Sequence, residues 1–122
     1  MMVTWFEIPV TNMDRAKAFY ENVFQIEISL YKMEGLQMGW FPNKNEIGVA
    51  TGTLINVGEH YKPSQDGVLI YFSCDDVANE ISRVESAGGQ VLSNKKQIAP
   101  EHGYMAYLMD SEGNRIALHS QK

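Results

Sequence analysis

One cysteine in 122 residues, Cys74, excludes any intrachain disulfide. Its position between Phe72 and the start of a helix suits a small buried side chain better than a reactive thiol. Basic residues are also scarce, with 10 Lys and Arg against 15 Asp and Glu, a net charge of -5 and no basic stripe. Binding nucleic acid requires clustered positive charge to neutralise phosphates, so that class of partner is excluded. Long apolar runs are missing too. Val68–Phe72 is typical of the longest, far short of the roughly 20 residues that cross a bilayer as a helix. The opening "MMVTWFEIPV" has neither the basic region nor the long apolar stretch of a secretory signal. The hydrophobic fraction of 44% and charged fraction of 20% are ordinary for a globular chain. These absences give the expectation of one soluble, cytoplasmic domain with no membrane contact.

The chain does contain an internal repeat. "FEIPVTNMDRAKAFYENVF" and "IYFSCDDVANEISRVESAG" share one pattern, offset by 64 residues without a gap. Each opens with alternating apolar residues, Phe6, Ile8, Val10 in one and Ile70, Phe72, Cys74 in the other. Each then has a helix-capping residue, Asn12 or Asp76, and a helical stripe. The stripes are Met13, Ala16, Tyr20, Val23 and Val77, Ile81, Val84, Ala87, and Gly88-Gly89 caps the second helix. The same offset carries Thr53-Leu54-Ile55 onto Ala117-Leu118-His119. Between helix and last strand, each half has room for two strands, near 27–31 and 36–41, then near 90–93 and 104–109. "PNKNEIG" and "DSEGN" supply the turns that follow. The chain therefore reads as two β-α-β-β-β modules, about 1–57 and 68–122, joined by a polar linker at 58–67 within one domain.

One helix covers only one face of a four-stranded sheet. An α+β fold follows, with a curved, cup-like mixed sheet and the helices on its convex side. Strand parity assigns the cup lining. Trp5 and Glu7, Leu69, Tyr71 and Ser73, Thr53 and Ile55, and Arg115, Ala117 and His119 point away from the helices.

A pair of such modules resembles the vicinal oxygen chelate superfamily of glyoxalase I, bleomycin-resistance proteins and extradiol dioxygenases. The resemblance spans essentially the whole chain and is sharpest in "WFEIPVTNMDRAKAFYENVF" and in "GYMAYLMDSEGNRIALHS". Ser111 replaces a usual proline in the turn, which serine also suits. Catalytic members, by this resemblance, hold one divalent metal with a ligand from the first and last strand of each module. Those positions here are Trp5, Thr53, Leu69 and Ala117. Trp, Leu and Ala cannot coordinate a metal, and a lone threonine hydroxyl is a poor ligand. The expectation is no metal and no cofactor.

Two functions remain. One is a binder of a small molecule, with Trp5, Glu7, Thr53, Leu69, Tyr71, Ala117 and His119 as the lining and the rings of Trp5 and Tyr71 stacking the ligand. The alternative is a lyase, isomerase or dioxygenase, metal-free through Glu7 and His119 as an acid-base pair or with a rearranged metal site. Structural roles compete for both residues, since Glu7 suits a structural hydrogen bond or a pairing with Arg115, and His119 a wet strand end. His60 and His102 read as solvated loop residues, and Trp40 as core or interface material. The resemblance also implies a homodimer.

Overall fold

The protein is described by a computed structural model over residues 1, 3–43 and 50–122; most of the turn expected at 42–48 lies outside them. Two compact units divide the chain, Met1–Pro63 and Ser64–Lys122.

In the first unit β1 (Glu7–Pro9) leads into α1 (Met13–Phe24), followed by β2 (Ser29–Met33), β3 (Leu36–Trp40) and β4 (Thr53–Asn56). The helix begins where Asn12, in an extended conformation, accepts a hydrogen bond from the Arg15 backbone N at 3.0 Å. That bond satisfies one of the donors a helix start leaves open. The stripe Met13, Ala16, Phe19, Tyr20 and Val23 is buried, each larger side chain contributing about 1.5–3 kcal/mol. The sheet order is β1-β4-β3-β2, with β1 parallel to β4 and the other pairs antiparallel. Gly39 lets the helix approach: a Cβ there would lie 2.9 Å from Ile28 and 3.1 Å from the Met13 sulfur. Ile8 and Leu54 pair in the same row and are also buried, which fixes this as the covered face.

The second unit repeats the plan with β5 (Tyr71–Ser73), α2 (Val77–Val84), β6 (Gln90–Ala99), β7 (Gly103–Met109) and β8 (Arg115–Ser120). Its order, β5-β8-β7-β6 with β5 parallel to β8, matches the first unit strand for strand. Asp76 caps α2 by accepting from Ala78 N at 2.9 Å. At the other end Gly88 has φ 104°, Gly89 N donates to Val84 O, and Gly88 N donates to Glu85 O. These two bonds form the left-handed cap that a glycine pair favours. The fold is α+β, two βαβββ modules each with one open four-stranded mixed sheet and one helix. The offset of 64 holds in the hydrogen-bond register itself: Glu7 pairs with Thr53, and Tyr71 with Ala117.

Three expectations need correction. β2 starts at Ser29, so Lys32 and Met33 belong to the strand and only Glu34 and Gly35 turn. β6 runs to Ala99, well beyond the expected 93, because its pairing with β7 continues to Ala99–Gly103 through three register shifts. Such bulges absorb extra residues without ending the ladder. Cys74 is half-buried, since β5 lies at a sheet edge and is covered from one side only.

Candidate functional site

The helix-free face of each sheet carries the residues that parity assigned to it. In the first unit a row crosses three strands, Glu7 to Thr53 to Trp40. Side chains in one such row project to one side. Trp5 lies two residues before Glu7 and meets Trp40 edge to face, the ring centroids 5.7 Å apart. Tyr31 contacts Trp40 from β2, at 4.3 Å. Trp5 and Tyr31 are exposed, at 36% and 45% of their surface, while Trp40 between them is half-buried. The indole Nε1 of Trp40 is buried and has no hydrogen-bond partner among the described residues.

Glu7 is exposed and accepts a hydrogen bond from the hydroxyl of Tyr61, which the segment after β4 brings to it. Burial, then the bond to Glu7 and its negative charge, push the Tyr61 phenol up to about 12. Of the structural roles expected for Glu7, this is a hydrogen bond within its own unit. Thr53 is fully buried, its Oγ1 3.1 Å from the Gly39 carbonyl and 2.6 Å from that of Leu54. A hydroxyl has one proton, so it donates to one of these at a time.

In the second unit the equivalent row runs Tyr71, Ala117, Tyr107. Ala117 is fully buried, and the two tyrosines flank it with their hydroxyl oxygens 3.3 Å apart. The bond to Tyr107 and then burial raise the Tyr71 phenol, while the charge of Arg115 opposes them. The Tyr71 phenol therefore holds its proton at neutral pH and remains a donor. Leu69 is half-buried just ahead of β5, and Ser73 pairs with His119. His119 is half-buried, and its Nε2 lies 2.7 Å from the His102 carbonyl oxygen. A carbonyl only accepts, so Nε2 carries the proton and Nδ1 is the nitrogen left for other use. Glu7 and His119 thus each have a hydrogen-bond partner inside their own unit.

Trp40, Tyr31, Tyr107 and Tyr61 are the residues that parity within single strands missed. Among the described residues no group of three or more His, Cys, Asp and Glu side chains is placed to hold a metal ion. No helix among them is long and apolar enough to cross a membrane.

Residues 3–118 match the model of the glyoxalase/bleomycin resistance protein/dioxygenase superfamily. A glyoxylase-like domain-containing protein from Didymella fabae is 26% identical over 95% of this chain and 91% of its own length. Among solved structures, a glyoxalase I mutant from Zea mays superposes on 96% of this chain with TM-score 0.77 and 15% identity. This chain spans only 46% of that protein. An antibiotic binding protein from Streptomyces sp. CB03234 matches over 100% of this chain and 97% of its own, with TM-score 0.68 and 22% identity. With the duplicated module, the shared register and a family match over nearly its whole length, this chain belongs to the glyoxalase/bleomycin resistance protein/dioxygenase superfamily.

Proposed function

We propose that this protein binds a small organic molecule on the helix-free faces of its sheets, without the divalent metal of its catalytic relatives. The observation that carries this reading is the donor chemistry at Trp5, Thr53, Leu69 and Ala117. Three have no ligating atom, and the Thr53 hydroxyl is fully buried and turned to backbone carbonyls. Exposed rings stand in or beside those positions instead, Trp5 in one unit and Tyr71 in the other. Rings on an open face bind planar ligands, each contributing about 0.5–2 kcal/mol beyond area burial. A relative described as antibiotic binding supports the same class of function.

The test is a thermal-shift screen of metabolites and antibiotics on metal-stripped protein, repeated with Mg²⁺, Mn²⁺, Ni²⁺ and Zn²⁺. A ligand at a hundred times its Kd stabilises by about 2.7 kcal/mol, or roughly 8 °C for a chain of this size. We expect such a shift from at least one compound, with no dependence on the cation. One metal bound per chain, with ligand binding only in its presence, would sink the reading. The enzymatic alternative, a lyase, isomerase or dioxygenase, draws support from Nδ1 of His119. It predicts that His119→Ala keeps ligand affinity and abolishes turnover.

A homodimer belongs to the same proposal. Leu30 on β2 and Leu92 and Ile98 on β6 are exposed apolar residues on edge strands, which soluble chains normally blunt or cover. Light scattering should give twice the 13.8 kDa chain mass. A monomer at every usable concentration would remove the dimer and leave the binding proposal standing.

A further inference from the structure

We propose that the helix-free face of the first unit takes an organic cation, held on the rings of Trp5, Trp40 and Tyr31 beside the carboxylate of Glu7. This deepens the small-molecule reading and rests on it. Three observations combine. The rings touch in series, Trp5 to Trp40 at 5.7 Å and Trp40 to Tyr31 at 4.3 Å, with both outer rings exposed. Aromatic faces carry negative potential, so a series of them attracts a soft cation more than an anion.

Glu7 shares this face through its register with Thr53 and, beyond Thr53, Trp40. It is exposed, yet no Lys, Arg or His among the described residues lies within ion-pair distance of it. Its hydrogen-bond partner, Tyr61, is neutral and stays protonated, with its phenol pushed up to about 12. A phenol orients a carboxylate but does not neutralise it. The face therefore presents a fixed negative charge beside a ring platform, and the chain as a whole carries a net charge of -5. A primary ammonium is strongly hydrated and gains little from rings. A methylated ammonium or a cationic heteroaromatic ring gains from both features, because its charge is spread and its surface apolar.

The experiment uses three soluble probes of one size and three charges: the cation 1-methylnicotinamide, neutral nicotinamide and the anion nicotinate. Calorimetry on the whole chain should rank them in that order, the cation at least tenfold tighter than the neutral ring. Glu7→Gln should bring the cation down to the neutral probe and leave nicotinamide unchanged. Tyr31→Ala should weaken both. Glu7 is exposed, so its substitution leaves the packed core intact, and circular dichroism confirms that each variant is folded. Tyr61→Phe should retain the cation preference, because the phenol orients the charge without supplying it.

Equal binding of all three probes overturns the proposal. So does no detectable binding of the cation in the millimolar range, or a preference that survives Glu7→Gln. A face used only to contact a second copy gives the second of these results. Should the screen of metabolites and antibiotics find a neutral ligand while this series is flat, the cation proposal fails and the small-molecule function stands.

Discussion

Asp110→Ala should destabilise the protein by about 3–4 kcal/mol, measured by denaturant unfolding followed by far-ultraviolet circular dichroism. Asp110 and Asn114 are 3% and 6% exposed, so the bonds between them have no water to replace them. Asp110 Oδ1 accepts from the backbone N of Glu112 at 2.8 Å and of Asn114 at 2.9 Å, and Oδ2 accepts from Asn114 Nδ2 at 3.0 Å. Asn114 in turn accepts from the backbone N of Ser64 at 3.1 Å through Oδ1. One carboxylate thus ties a buried turn, and through Asn114 the start of the second unit. Alanine leaves those donors short of acceptors, at about 1–3 kcal/mol for each buried group left unsatisfied. Asp110→Asn keeps one oxygen for the two backbone donors but sets an amide nitrogen against Asn114 Nδ2, and should cost about half as much. A loss below about 1 kcal/mol in the alanine variant would mean that the turn is held by something other than this residue.

That turn also positions residues of the candidate site. β8 starts directly after it, and the register it sets puts Arg115, Ala117 and His119 on the helix-free face. These placements are legible in the sequence. Alternation in one strand separates its two faces, and a repeat with an unbroken offset of 64 transfers the answer from one module to the other. The capping residues Asn12 and Asp76 were readable because a cap acts on bonds within three residues.

Trp40 and Tyr107 are not legible from alternation or the repeat. They occupy equivalent places, Trp40 opposite Thr53 and Tyr107 opposite Ala117. They are 67 residues apart, not 64, because the second module has three more residues between its first and third strands and three fewer between its third and last. The offset therefore misaligns them, and only cross-strand pairing restores the match. Tyr31 and Tyr61 were hidden for a related reason. Each reaches its partner, Trp40 or Glu7, through backbone pairing or a connecting segment that has no periodicity. Pairing between distant strands is a long-range fact, and local pattern does not specify it. The Tyr61 contact joins residues 54 positions apart.

Gly103→Ala is the second substitution with a large expected effect, and Gly35→Ala is its control. Both glycines have a left-handed backbone, φ 77° and 82°. An added Cβ at Gly35 meets nothing within 4 Å. At Gly103 it would lie 2.2 Å from the Ser120 carbonyl oxygen and 3.0 Å from Gln121 Cα. Both neighbours are backbone, so no side-chain rotation relieves the overlap. The left-handed conformation alone costs an alanine about 1–2 kcal/mol, which is the whole expectation for Gly35. Gly103→Ala should cost at least about 3 kcal/mol, since the first residues of β7 must also pull away from the end of β8. Tyr104 pairs with Ser120 there, and the neighbouring His102 carbonyl accepts from His119 Nε2. The strain should therefore reach the candidate site: the proton on His119 loses its fixed acceptor, and the imidazole resonances should move in Gly103→Ala while staying fixed in Gly35→Ala. Equal stability losses in the two variants would show that the overlap with Ser120 relaxes freely. An unmoved imidazole would show that His119 is oriented by something other than the turn at 100–103.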